Sequence, residues 1–173
     1  MSEQEETVAI PEAIDIAMQH HQEGRLYDAE ILFWRILETQ PNQPIALHFL
    51  GIIAHQVGNN DVAVEYITKA LDQKPDYAEA HNNLGNALRD LGKLDEAVAF
   101  YRKALGIKPN YAEAHSNLGT ALRDLGKLDE AIASYRQALG LKPNTLSTYI
   151  GALMQAGDGA QAVSRSRGNM ARW

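Results

Sequence analysis

The sequence contains no cysteine, few aromatic residues and no long apolar run. Without cysteine, the 173-residue chain has no disulfide bond, no thiolate metal ligand and no cysteine nucleophile. No apolar stretch approaches the roughly 20 residues that a membrane-spanning helix needs, and the chain starts with acidic residues where a secretory signal would be basic. We therefore expect a soluble, cytoplasmic protein.

An excess of positive charge is also missing. The formal net charge is -6 and the isoelectric point is near 5.5, and basic residues alternate with acidic ones through most of the chain. Such a chain repels phosphate backbones and anionic lipid headgroups. The charge pattern therefore argues against nucleic acid and membrane surfaces as partners.

What the sequence does contain is a repeat of 34 residues. The stretch that begins at Ala78 recurs almost unchanged from Ala112. A proline and an alanine recur at the same interval, as Pro41, Pro75, Pro109 and Pro143, and as Ala29, Ala63, Ala97 and Ala131. The chain thus divides into repeat 1 (10–43), repeat 2 (44–77), repeat 3 (78–111) and repeat 4 (112–145). A constant period of this length indicates stacked copies of one small supersecondary structure.

Each repeat has the pattern of two amphipathic helices. In repeat 3, apolar residues recur every three or four positions, as expected for one face of a helix. Gly92 ends this first helix, and Asp95 is placed to cap a second helix that runs to Pro109. Since neither helix can bury its apolar face alone, neighbouring hairpins must stack on one another. The predicted fold class is all-α, with no strand.

The repeat resembles the tetratricopeptide motif. The resemblance is carried in repeat 3 by Leu84-Gly85, by Ala97 followed four residues later by Tyr101, and by Pro109, and it returns in repeat 4. Two departures are His81, where the family favours an aromatic residue, and Leu88, where it favours tyrosine. The resemblance implies a superhelix, or α-solenoid, of antiparallel hairpins that serves as a protein-interaction module.

The two ends of the chain depart from the repeat. Residues 1–9 form an acidic segment that we expect to be flexible, and residues 146–163 read as an extra helix or a partial fifth repeat. Tyr149, Ile150 and Leu153 would leave that helix with an uncovered apolar face. The basic tail at 164–173 has little apolar periodicity, and we expect it to be frayed.

The resemblance also implies where a partner would bind. In this family the exposed face of each first helix lines a concave groove. In this chain most of the corresponding residues are polar or charged, and two are apolar. They are Asn82, Asn83, Asn86, Arg89, Asp90, Asn117, Thr120, Arg123, Asp124, His48, Phe49 and Ile52. Asn83 and Asn117 match the asparagine ladder in the repeats of O-linked N-acetylglucosamine transferases.

Asparagine has a physical reason to bind peptides. Its amide offers both a donor and an acceptor, so it can pair with the N–H and C=O of a peptide unit without reading the side chain. The alternative interpretation is that these asparagines are ordinary polar residues on a solvated face.

The sequence gives no sign of catalysis or of a cofactor. It has no glycine-rich phosphate loop and no carboxylate pair or Ser/His/Asp set outside the repeat pattern. His21, His48 and His55 could approach one another, but ordinary packing explains them better than a metal site.

The leading hypothesis is a non-catalytic scaffold that binds a peptide segment of a partner protein in its groove. One alternative is the substrate-presenting arm of a larger glycosyltransferase-type enzyme. Another is a self-assembling scaffold, a homo-oligomer formed through the C-terminal helix.

Overall fold

The computed structural model describes residues 9–141 and, beyond them, residues 150–151, 154–155 and 157. Residues 9–141 form eight helices and contain no strand. The helices are α1 (Ile10–Gln22), α2 (Leu26–Thr39), α3 (Pro44–Gln56), α4 (Asn60–Gln73), α5 (Ala78–Asp90), α6 (Leu94–Ile107), α7 (Ala112–Asp124) and α8 (Leu128–Leu141). They pack as sequential hairpins, so the predicted all-α class is confirmed.

Several of the predicted terminal features cannot be placed. Most of the N-terminal segment, most of the predicted element at 146–163 and all of the tail at 164–173 lie outside the described residues. Across the part of the chain that is described, no helix combines the length and the apolar content needed to cross a bilayer.

A glycine in the left-handed region ends each first helix. Gly24, Gly58, Gly92 and Gly126 have φ angles between 75° and 81°, which residues with a Cβ rarely adopt. At the end of α3, the Gly58 N–H donates to the His55 carbonyl at 2.9 Å, and the Asn59 N–H to the Ala54 carbonyl at 2.8 Å. These bonds satisfy carbonyls that the helix itself leaves unpaired. The predicted role of Gly92 is therefore confirmed.

The predicted cap at Asp95 is wrong. Helix α6 begins at Leu94, two residues earlier than a cap at Asp95 would require; Lys93 is at the N-cap, and no side chain caps the helix. Asp95 instead lies in the first turn beside Glu96, where negative charge is favourable near the positive end of the helix dipole. The sequence pattern could not separate these two roles, because acidic residues are favoured at both positions.

The chain divides into two compact units, Met1–Ala87 and Leu88–Trp173, with the boundary inside α5. In the first unit the core is formed by side chains such as Ile14, Phe33, Leu47 and Leu50. In the second unit, helices α7 and α8 bury Leu118, Leu122 and Tyr135. Each unit thus buries the apolar stripes that the repeat pattern predicts.

Close helix contact in each unit depends on a buried glycine. A Cβ on Gly51 in α3 would lie 2.5 Å from Cγ1 of Ile67 in α4, and a Cβ on Gly119 in α7 would lie 2.7 Å from the Tyr135 ring in α8. No side chain fits at either point. This contact explains why the repeat keeps glycine after leucine inside a helix, where glycine is otherwise unfavourable.

Candidate functional site

In the first unit, the predicted groove residue His48 is buried, with only 2% of its surface exposed. Its Nδ1 atom lies 2.9 Å from the Tyr77 hydroxyl, and its Nε2 atom lies 3.0 Å from Nδ2 of Asn83. Because an asparagine Nδ2 can only donate, His48 Nε2 accepts and the ring proton is on Nδ1, which donates to Tyr77. The structure therefore brings two predicted site residues together through a bond that the sequence did not suggest.

The burial of His48 sets its charge. Loss of hydration lowers the pKa of His48 from 6.5 to about 4, with Glu79 opposing the shift and His21 adding to it. Burial also raises the pKa of Tyr77 to about 12, with a further contribution from Glu79. Both side chains are thus neutral near pH 7, and the imidazole cannot offer positive charge to a ligand there.

Phe49 is the centre of an aromatic cluster. Its ring is stacked on Phe33 with centroids 5.1 Å apart, and His21 and His48 approach it at 5.3 and 5.7 Å in edge-on geometry. Phe49 is nonetheless half-buried, as is Ile52 one turn along α3. The two side chains thus form a partly accessible apolar surface on a rigid base.

The asparagines of α5 differ from one another in exposure. Asn82 is fully buried, whereas Asn83 and Asn86 are half-buried. Asn82 Nδ2 lies 3.5 Å from Oδ1 of Asn83, so the inner amide faces the outer one. Asn82 is therefore not part of the accessible surface, although the sequence placed it there.

In the second unit, a polar stripe runs along α7. Asn117, Thr120 and Arg123 are half-buried, and Asp124 is exposed. The Thr120 hydroxyl donates to the Ser116 carbonyl at 3.1 Å and accepts from the Tyr135 hydroxyl at 3.1 Å, which fixes its direction.

The charged residues of this stripe are paired with their neighbours in sequence. The Arg123 guanidinium donates to Asp124 at 3.0 Å, and in α5 that of Arg89 donates to Asp90 at 3.1 Å. Both pairs are partly exposed, with side-chain accessibilities between 27% and 39%. Exposed pairs of this kind are weak, so they can exchange for a charged ligand at little cost.

Sequence reasoning missed Tyr77, the partner of His48. Tyr77 and Tyr111 occupy the same repeat position, directly before a first helix. This repetition of tyrosine could have indicated that the position has a role. His81 and His115 also share one repeat position, and they make the same hydrogen bond. Each donates from Nε2 to a proline carbonyl six residues earlier, at 2.8 Å.

The histidines do not gather into a metal centre. No group of three or more metal-ligating side chains occurs among the residues that the structure describes. His21 Nε2 lies 3.2 Å from the Gln56 amide oxygen.

Consecutive helical hairpins with partly exposed polar stripes on their first helices define a helical-repeat protein. Two family models, both described as tetratricopeptide repeat, match residues 50–112 and 112–145, and together they span more than half of the chain. The chain therefore belongs to the tetratricopeptide repeat family, whose members generally act as protein-interaction modules.

Solved structures of the same fold are similar along most of the chain. A crystal structure of MamA protein has 24% identity and a TM-score of 0.74, over 91% of this chain and 88% of that chain. TTC0263, a thermophilic TPR protein in Thermus thermophilus, has 27% identity and a TM-score of 0.73, over 86% and 84%. A Thermobaculum terrenum O-GlcNAc transferase has 28% identity and a TM-score of 0.72, over 75% of this chain but only 25% of the enzyme. Comparison with curated proteins gave no match.

Proposed function

We propose that the chain is a non-catalytic scaffold that binds a peptide segment of a partner protein against the faces of its first helices. The observation that carries this proposal is the half-exposed stripe along α7, formed by Asn117, Thr120 and Arg123, on a helix whose other faces are mostly buried. Such a stripe combines a rigid base with donors and acceptors, which an extended peptide needs along its main chain.

Specificity would come from side chains beside the amides. In the first unit, Phe49 and Ile52 would favour an apolar anchor on the peptide, because both are partly accessible and Phe49 is held by packing against Phe33. In the second unit, Asp90 and Asp124 would favour a basic residue by exchanging their arginine partners. His48 would act indirectly, by holding the amide of Asn83 in place.

The test is titration calorimetry of a peptide panel against wild type, Asn83→Ala, Asn117→Ala and the double variant. Loss of a main-chain hydrogen bond should weaken every peptide by a similar factor, about two- to twelvefold per bond for about 0.5–1.5 kcal/mol. The rank order of the peptides should survive, because side-chain contacts are retained.

The matched control is Asn110→Ala, which removes an exposed asparagine from the connection between α6 and α7. Thermal melts must accompany the titrations, because Asn83 is bonded to His48 and its loss should also lower stability. Affinities that are unchanged across the panel in the folded double variant would refute the role of the two amides.

A second candidate function is suggested by the similarity to the Thermobaculum terrenum O-GlcNAc transferase, at 28% identity over 75% of this chain. In this second candidate function, the repeats would present a protein substrate to a glycosyltransferase domain. The genomic sequence around the coding region tests it, since the candidate requires a catalytic domain encoded in the same reading frame.

A further inference from the structure

A crevice lies on the first unit, and its lining includes neither His48 nor Phe49. Its volume is about 220 Å³, and it is lined by α2, the end of α3 and α4. Trp34 from α2 and Tyr66 from α4 meet edge to face there, with ring centroids 5.7 Å apart. Val57 is 68% exposed at its rim. The crevice is thus mostly apolar, accessible and built on helices.

Helix α2 extends this apolar surface. Tyr27, Ile31 and Trp34 follow one another at helical spacing and are 74%, 36% and 41% exposed. The other second helices carry mostly polar or small residues at these positions, namely Asp61, Glu65 and Thr68, then Asp95, Ala99 and Arg102, then Asp129, Ala133 and Arg136. The exposed aromatic face is therefore a property of repeat 1 and not of the repeat pattern.

The second unit shows how the same place is filled elsewhere in the chain. Arg102 and Glu130 occupy the positions of Trp34 and Val62, and they form an ion pair at 2.8 Å. Lys127 and Asp95 occupy the positions of Asn59 and Tyr27, and they approach to 3.7 Å. Between α6 and α8, charged side chains thus pair with one another. The equivalent positions in the first unit hold mostly apolar and aromatic side chains, which remain accessible.

Glu30 adds a charge to the crevice. It lines the cavity and is half-buried, and within the described residues it has neither a hydrogen-bond nor an ion-pair partner. The same repeat position holds Val64, Val98 and Ile132 in the other repeats. A half-buried carboxylate attracts a cation more strongly than one in bulk water does, because the medium around it is less polar. The site therefore favours a ligand that carries a positive charge next to an apolar group.

We propose that this crevice is a second docking site, which takes a peptide segment of a partner protein bearing an arginine or lysine beside an aliphatic or aromatic residue. The apolar side chain enters between Trp34, Val57 and Tyr66. The basic side chain pairs with the Glu30 carboxylate and lies along the Trp34 indole one helical turn away, where a cation is attracted to the ring. Arginine fits better than lysine, because its flat guanidinium can do both.

The test uses the full chain and short fluorescein-labelled peptides that carry a Leu-Arg, a Leu-Gln or a Ser-Arg pair in an otherwise Gly/Ser sequence. Fluorescence anisotropy should show the tightest binding for Leu-Arg. Glu30→Gln, which keeps the shape of the side chain, should weaken the Leu-Arg peptide about tenfold and leave the Leu-Gln peptide unchanged.

A double variant, Trp34→Arg with Val62→Glu, copies the ion pair of the second unit into the crevice. It should fold normally by circular dichroism and abolish binding of all three peptides. Asn117→Ala should change nothing in this assay, which separates the crevice from the proposed peptide-binding stripe on α7.

Three results would overturn the proposal. The first is equal affinity for Leu-Arg and Leu-Gln in wild type, and the second is full binding by the folded double variant. The third is an absence of peptide binding together with self-association that the double variant removes, since the occupant would then be a second copy of the chain.

Discussion

At the scale of single residues, His48 shows how a polar position in a repeat becomes part of the core. The ring is buried and makes two hydrogen bonds, with Tyr77 and with Asn83. Those bonds satisfy both nitrogens only in the neutral form, since a protonated ring would have no acceptor to offer to the Asn83 amide. The lowered pKa and the geometry therefore agree.

This burial predicts a dependence of stability on pH. The pKa of His48 is about 4 in the folded protein, against 6.5 for a free histidine side chain. Between these values the unfolded chain binds more protons, so folding stability should fall as the pH is lowered from about 6.5 towards 4. The full contribution is up to about 3 kcal/mol. Urea denaturation at pH 7.5 and pH 5 should show it.

The matched variant is His48→Gln, which has an amide donor and acceptor but no titrating group. Its stability should be lower than that of wild type at pH 7.5 and should change less between the two pH values. An equal loss in variant and wild type would assign the pH dependence to other groups.

The sequence placed His48 and Asn82 on the groove face by their position in the repeat, and both are buried. The helical period gives direction around a helix only to within one residue, so it could not decide between an inner and an outer polar position. The partner of His48 is 29 residues away, in another element, and no local pattern points to it. Ile52 and Asn117, which the same assignment placed on that face, are partly exposed.

At the scale of helices, the sequence predicted helix packing most accurately where the same contact between paired helices recurs in several repeats. The Leu-Gly pair that carries the resemblance returns at Gly51 and Gly119, and these glycines lie against Ile67 and Tyr135 of the paired helices. The prediction was less accurate for α2, because the apolar stripes were deduced from repeat 3. The exposed aromatic face of α2 is visible only when the repeats are compared position by position.

The surroundings of two glycines predict opposite effects on stability when each is changed to alanine. Gly119→Ala should destabilise the protein by about 1–3 kcal/mol, because the added methyl group meets the side of the buried Tyr135 ring at 2.7 Å. Gly106→Ala in α6 should stabilise it by about 0.5–1 kcal/mol, because nothing lies within 4 Å and alanine is the better helix former. Urea denaturation measures both, and shifts of the same sign would contradict this packing.

At the scale of the whole molecule, apolar groups remain exposed at more than one place. In the first unit they are concentrated on α2 and at Val57. Near the C-terminal end, Ile150 and Met154 are 45% and 67% exposed and lie four residues apart in helical backbone. The predicted neighbours Tyr149 and Leu153 lie outside the described residues. Apolar patches of this kind usually mark an interface.

The exposure of Ile150 and Met154 predicts self-association, the third hypothesis drawn from the sequence. Sedimentation velocity of wild type should show dimers or larger species that grow with concentration, because association would remove both side chains from water. Changing both residues to glutamate should weaken the association at least tenfold, since it would bury charge at the contact. Ile107→Glu is the control, because Ile107 is similarly exposed, at 42%, but ends α6. A wild type that remains monomeric at high concentration, or an equal effect of the control, would exclude an interface at this position.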